Sequence, residues 1–373
     1  MKKKATTSGK PRTKEDSGSI PEGKRVTLAD VGHYCGYHGT TVGLALRNHP
    51  GIPEETRLKI RAAADALGYV PDPAMRALVA HRHGLSKGKG YSTIAVISDR
   101  SKADGWRSAR DVGHEYYTGM CRRAKELGYK LEEYSIGQDH GLQHRVDQIL
   151  NARGISTVIV APQANLDSPL DFKWEAYSAV ALGYSLISPP LPRVTHQHRD
   201  GTQRSVLELM KLGYRRIAFL NPYEYEVRVG YGYSAGFFGT VNLHSDVVSS
   251  CSLVPKDNSN LARPATVDWL KKNRPQAVIS SQAHLLDFLR SNGVRIPEEM
   301  GYVRLGVEIE KDPKEQVSGI YENSPLIGME AVDLVARMQA IHLRGVPSVR
   351  QVHLVQGKWI PGTTVKRVGE SLI

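Results

Sequence analysis

Only three cysteines occur, Cys35, Cys121 and Cys251, far apart and without the short spacing of metal ligands. A disulfide framework is therefore excluded, and reduced thiols in a cytoplasm are expected. No apolar run is long enough to span a bilayer. The N-terminal charges are not followed by the apolar segment of a signal peptide, so none is expected. Catalytic signatures are also missing: there is no Gly-x-Ser-x-Gly elbow, no phosphate-loop signature and no His-Glu-x-x-His. No spacing joins Asp and His into an acid/base pair, so neither an enzyme nor a cofactor is expected. The 14 histidines are scattered, and His81-Arg82-His83 and His196-Gln197-His198 read as solvated loop residues rather than metal ligands. Acidic charge falls short of basic, 38 Asp and Glu against 50 Lys and Arg, for a net charge of +12. That balance favours a polyanionic partner.

The densest local signals lie between Arg25 and Leu78. Thr27 is a good N-cap for a helix with Leu28, Val31 and Cys35 on its apolar face, and Gly36 ends it. A second helix is predicted over 40–47, with Val42, Ala45 and Leu46 facing inward. After the break at Asn48-His49-Pro50-Gly51, Pro53 starts a third helix whose first turn holds Glu54 and Glu55. Its apolar residues Ile60, Ala63, Ala64 and Leu67 repeat at helical spacing, and Gly68 stops it. Two helices joined by a tight Gly-containing turn are the helix-turn-helix arrangement, whose second helix leads with its first residues into the major groove. Periodicity alone equally allows a trihelical protein-interaction module. Asp72-Pro73 then opens a short helix by its own capping chemistry.

This segment resembles the DNA-binding domain of the lactose-repressor family of bacterial transcription regulators. Val26-Thr27-Leu28, Asp30-Val31, Gly36, Thr41-Val42, Leu46, Glu55-Thr56-Arg57, Leu67-Gly68-Tyr69, Pro71-Asp72-Pro73 and Leu78 match the family pattern in order. The family's capping Ser is here His38, its later Ser is Gly43, and two common base-reading positions are Gly39 and Leu44. The resemblance implies DNA contacts by Thr27, His38, Gly39, Thr40, Thr41, Leu44, Asn48, Tyr69, Arg76 and Leu78. Leu44 either touches a thymine methyl or packs in the core. Leu78 is the family's minor-groove wedge in a hinge helix that folds on DNA, or else an ordinary packing residue.

Residues 1–23 carry Lys2, Lys3, Lys4, Lys10, Arg12 and Lys14 with no apolar run, and read as a disordered basic arm that strengthens phosphate attraction. Residues 24–70 are the expected helix-turn-helix domain, and 71–90 the hinge helix and linker. Residues 91–366 are the expected two-lobed domain, and 367–373 a tail. The long domain alternates strand and helix patterns, from the strand at 93–98 to a helix at 326–343. A βαβ rhythm of this kind implies parallel sheets with helices on both faces. One helix is predicted over 228–240 despite its glycines. Asp200-Gly201, the run Leu212–Leu220, Arg228 ahead of Gly232-Tyr233, and a final strand ending at Gly362-Thr363-Thr364 resemble the same family's effector domain. That domain is periplasmic-binding-protein-like. The fold class is thus a small all-α domain followed by a two-lobed α/β domain.

The effector cleft of such a fold lies at the carboxyl ends of the strands. The family's sugar-binding Arg is kept as Arg228, while its acids align near Gly183, Ala283 and Val307. Asp99, Trp106, Tyr117, Arg228, Gln282 and Glu322 are the candidate effector ligands, with Trp106 and the tyrosines equally open to packing roles. An Arg without local acids favours an anionic ligand such as a sugar acid; if Glu322 or Asp99 neutralises it, a neutral sugar fits better. The reading is a cytoplasmic, nucleoid-associated, homodimeric repressor that binds a pseudo-palindromic double-stranded operator under control of a sugar-like effector. The alternatives are a ligand-independent DNA binder with a degenerate cleft, and a soluble carbohydrate-binding protein.

Overall fold

The computed structural model describes residues 26–46, 49, 51–69, 92–100, 106, 112–137, 140–166, 169–256, 260–309, 314 and 316–368. The basic arm, Asn48, Arg76, Leu78, the predicted hinge and linker, and the end of the tail lie outside them. The chain divides into two compact units, residues 1–77 and 78–373.

In the first unit, α1 (Leu28–Cys35), α2 (Gly39–Leu46) and α3 (Glu54–Ala66) enclose a small core of Val31, Val42, Ala45, Ile60, Ala63 and Ala64. Thr27 closes a capping box: its hydroxyl accepts from the Asp30 amide at 3.3 Å, and the Asp30 carboxylate accepts from the Thr27 amide at 2.8 Å. Gly36 ends α1 at φ 76°, in the left-handed region that costs glycine nothing. The turn into α2 is so tight that a Cβ on Gly32 would sit 2.3 Å from the Tyr37 carbonyl oxygen.

The second unit holds two parallel-stranded lobes. Its first passage supplies β1 (Ser92–Ser98), α4 (Val112–Glu126), β2 (Tyr129–Ser135), α5 (His140–Ala152), β3 (Thr157–Val160), β4 (Ser178–Leu182) and β5 (Arg193–His196). The chain then builds the other lobe with α6 (His198–Lys211), β6 (Arg216–Leu220), α7 (Tyr223–Arg228), α8 (Gly232–Leu243) and β7 (Ser249–Leu253). That lobe continues with α9 (Pro264–Asn273), β8 (Ala277–Ser280), α10 (Leu285–Ser291), β9 (Gly301–Leu305) and β10 (Gly319–Tyr321). Next, α11 (Ser324–Ala340) and β11 (Val352–Val355) return to the first lobe, and β12 (Lys358–Ile360) closes the second. The sheet orders are β11-β5-β4-β3-β1-β2 and β12-β10-β9-β8-β6-β7. Among the described residues, only β12 runs antiparallel to its neighbour.

Helices on both sheet faces explain the uninterrupted apolar strands. In β1, Ile94 and Val96 face one buried cluster while Ala95 and Ile97 face the other. In β6, Ile217 and Phe219 are split from Ala218 and Leu220 in the same way. Three segments connect the lobes, at 196–198, 321–324 and 355–358. Of the short strands at these junctions, β5, β10 and β11 carry no long apolar run and were not expected from the sequence, whereas β12 is the expected final strand.

Three expectations fail here. The single helix over 228–240 is broken: α7 ends at Arg228, and Gly230 and Tyr231 both take φ 60° before α8 begins. Glu226 fixes the corner, since its carbonyl accepts from Tyr231 and its carboxylate accepts from the Ser234 amide at 2.9 Å. The histidines at 196 and 198 are not solvated: they are 1% and 7% exposed, because the first interlobe connection is buried against the other two. The final strand also stops at Ile360, short of Gly362-Thr363-Thr364.

Candidate functional site

On the first unit, His38 and Thr40 are exposed at the start of α2. The His38 ring does the work of the missing Ser cap: Nδ1 accepts from the Thr40 amide at 3.3 Å and lies 3.1 Å from its hydroxyl. With Nδ1 accepting, the ring proton sits on Nε2. Thr41 and Leu44 are half-buried, and Leu44 stands outside the trihelical core cluster. Gly39 lies against the start of α1, where a Cβ would be 3.4 Å from the Leu28 carbonyl. Thr27 is occupied by its capping box, and Tyr69 packs on the core.

In the two-lobed unit the six cleft candidates fall into four places. Asp99, at the end of β1, is 6% exposed, and its carboxylate accepts from the Ala164 amide at 2.8 and 2.9 Å and from the Asn165 amide at 3.0 Å. Arg228 reaches the same segment from the other lobe, donating to the Gln163 carbonyl at 2.8 Å and to the Ala164 carbonyl at 2.5 Å. Asp99 and Arg228 therefore grip one loop from opposite lobes. Trp106 and Tyr117 form an edge-on aromatic pair, 5.9 Å between centroids, inside or against the first lobe's core. Burial, followed by Cys121 and Glu133, raises the Tyr117 hydroxyl. Gln282 stands apart, its side-chain oxygen accepting from the Leu261 amide at 3.1 Å.

Glu322 belongs to the hinge. It lies in the second interlobe connection, accepts from the Tyr233 hydroxyl at 2.7 Å, and stands 3.9 Å from His198 Nε2. The His198 ring meets Tyr233 edge-on at 4.9 Å and His196 at 5.0 Å. Burial opposes charge on Glu322, but His196, His198 and the Tyr233 hydroxyl hold its carboxyl below the ordinary range. Burial carries His198 from 6.5 down to about 3, with Glu322 opposing and His196 adding to the fall. Below pH 6.5 the unfolded chain takes up a proton that the folded hinge refuses, so stability falls progressively toward pH 3. The expected slope is up to about 1.4 kcal/mol per pH unit. Urea midpoints at pH 7, 6 and 5 should fall for the wild type and fall less for His198→Gln. Equal slopes would remove His198 from the account.

The sequence missed several residues that shape the cleft. Arg228 does not lack a local acid: Glu224, one turn earlier on α7, accepts from Nε at 3.0 Å and from an η nitrogen at 2.6 Å. That i,i+4 spacing was legible in Glu224-Tyr225-Glu226-Val227-Arg228. Val307 points into the fold at 4% exposure, and the next residue, Glu308, is the exposed one. Glu308 and Glu322 both raise the Glu115 carboxyl on α4, after burial and against the Ser324 hydroxyl. Arg193 was also overlooked: it is 1% exposed, lies 5.1 Å over the Tyr184 ring, and donates to the Gly183 and Leu186 carbonyls. Burial brings its guanidinium down to about 10.

Two parallel-sheet lobes joined by three connections, with a capped trihelical unit ahead of them, define a periplasmic-binding-protein-like domain carrying a small helical module. Residues 206–365 match the family model of a periplasmic binding protein-like domain. The lactose operon repressor of Escherichia coli (strain K12) is 24% identical over 199 residues, 53% of this chain and 51% of that protein. The chain spans about half the length of the curated relatives it matches. Among solved structures, the lac repressor dimer bound to operator and the anti-inducer ONPF is similar over 92% of this chain and 100% of that one. Its identity is 20% and its TM-score 0.55. A CelR–cellobiose complex is similar over 91% and 100%, at 18% identity and a TM-score of 0.56. The chain thus carries a periplasmic binding protein-like domain and is similar to members of the lactose-repressor family.

Proposed function

We propose that this chain is a sequence-specific transcription repressor whose operator affinity is set by a small metabolite held between the lobes. The observation that carries the reading is the lead of α2, where His38 and Thr40 are exposed and held in place by the ring-to-amide cap. The curated relatives named as regulators and the two-lobed fold support it. One short reading helix makes few base contacts, so a homodimer on a pseudo-palindromic duplex, in the cytoplasm at the nucleoid, completes the proposal. The proposed effector is a neutral sugar or sugar derivative. With Glu224 on Arg228 and acids at Glu115, Glu308 and Glu322, the cleft gives an anion little to bind. The solved CelR relative holds cellobiose, a neutral sugar. A second reading, a regulator that needs no ligand, is favoured by Arg228 spending its donors on protein atoms.

The test is selective. The Thr40 hydroxyl lies beside His38 Nδ1, which leaves its oxygen free to accept from a base edge. Thr40→Ala should weaken operator binding by about 1–3 kcal/mol and leave binding to random duplex unchanged. Fluorescence anisotropy on both duplexes at one salt concentration reads the difference. Equal loss on the two, or no loss, would dismiss Thr40 as a base contact.

A further inference from the structure

The corner between α7 and α8 is the part of the second lobe that reaches the first. A guanidinium has five N–H donors. In Arg228, Nε and one η nitrogen hold Glu224, that same η nitrogen also holds the Ala164 carbonyl, and the other η nitrogen holds the Gln163 carbonyl. The acceptors are themselves fixed. Asp99 binds the amides of Ala164 and Asn165, and the Gln163 amide donates to Ser185 Oγ at 2.8 Å. Two residues on, Gly230 at φ 60° lets the backbone come so near that a Cβ would stand 3.3 Å from the Tyr184 ring. Tyr184 is backed in turn by Arg193. The corner exists only because Tyr231 also accepts a left-handed φ of 60°, which disfavours a non-glycine residue.

From this geometry we infer that Arg228, aimed by Glu224, is an interlobe latch that the protein closes on its own backbone. Its partners are two carbonyls of a braced loop, so closure needs no group from outside the chain. A charge-assisted donor shared by two carbonyls is among the stronger single contacts a cleft can offer. The strained corner spends backbone energy to deliver it. The inference concerns the lobes alone and stands whether or not the proposed DNA and effector roles hold. An effector that enters the cleft must then either leave the latch shut or replace the Gln163 and Ala164 carbonyls with its own acceptors.

The experiment measures the distance between lobes in the full chain. With Cys35, Cys121 and Cys251 replaced by Ser, nitroxide labels are placed through Arg145→Cys on α5 and Leu243→Cys on α8. Both positions are exposed and lie away from the corner. Pulsed dipolar spectroscopy should give one narrow distribution in that background. In Arg228→Ala the distribution should broaden, with the long-distance fraction rising several-fold. Glu224→Gln should fall between the two, because Arg228 keeps its charge but loses its aim. Arg228→Lys should also open, since one ammonium cannot span both carbonyls and Glu224. Glu208→Gln, which breaks an exposed pair with Lys211 in the same lobe, should change nothing. Distributions identical to the background in Arg228→Ala and Arg228→Lys would overturn the latch. Should Arg228→Ala fail to fold, Arg228→Lys and Glu224→Gln decide the matter in the same way.

Discussion

Gly328→Ala should destabilise the two-lobed unit by about 3 kcal/mol, the upper end of what overpacking costs. Helix propensity alone predicts the opposite sign, a gain of up to about 1 kcal/mol for Ala over Gly in a helix interior. Packing decides against propensity here. A Cβ on Gly328 of α11 would lie 2.0 Å from the Tyr116 carbonyl oxygen and 3.0 Å from the Met120 nitrogen of α4. The approach is reciprocal, since a Cβ on Gly119 of α4 would lie 1.8 Å from the Pro325 carbonyl oxygen. These neighbours are backbone atoms and cannot rotate aside. The two helices would have to separate, and with them the ion pair of Arg123 and Asp333 at 2.8 Å and the Tyr129 bond to Gln339 at 3.1 Å. Gly239 on α8 is the control: it is exposed, with nothing within 4 Å of its would-be Cβ. Gly239→Ala should therefore stabilise, by up to about 1 kcal/mol. Urea unfolding of both variants checks the signs, and a stabilised Gly328→Ala would show that α4 and α11 can slide apart at no cost.

Legibility in the sequence followed the range of the interactions involved. Capping is local, so Thr27, Gly36 and Pro53 marked helix ends that the fold places at the same residues. Strands buried on both faces announce themselves as apolar runs, and β6, α9, β8 and α10 lie where their patterns put them. Among the junction strands, β5 and β11 carry Arg or His and β10 is only three residues long, and each is held by pairing with a strand remote in sequence, as Arg193 in β5 pairs with Val352 in β11. The site fared worse than the fold. Residue type drew Trp106 and Tyr117 into the cleft, yet their apolar surface is worth more in the core. Conversely, His198 and Tyr233 were passed over because nothing local reveals that three chain crossings meet around them. Arg228 stands at the interlobe face, but with Glu224 beside it rather than without a local acid. The helix break at Gly230 and Tyr231, which turns it onto the other lobe, has no periodicity to betray it.

Asp99→Ala should produce the second large effect, and it should appear without any ligand present. Sequence alone makes Asp99 a candidate to hold an effector. Its carboxylate instead accepts from two backbone amides, Ala164 and Asn165, at 6% exposure. Hydrogen bonds to a charged group contribute roughly 1.5–3 kcal/mol each, and removing the carboxylate takes its acceptor from two part-buried backbone amides at once. A loss of about 3 kcal/mol or more is expected. Asp99→Asn should lose less, because one oxygen remains to accept while its amide nitrogen faces the donors wrongly. The loop so released carries the carbonyls that Arg228 holds, so Asp99→Ala should also widen the interlobe distance distribution. A residue that served only as an effector ligand would behave differently: the unliganded melting temperature would stay put, and only the ligand-induced shift would vanish. Thermal unfolding of wild type, Asp99→Asn and Asp99→Ala in plain buffer separates the two roles. An unchanged midpoint in Asp99→Ala would return Asp99 to the cleft and leave the 163–165 loop braced by Ser185 and Arg228.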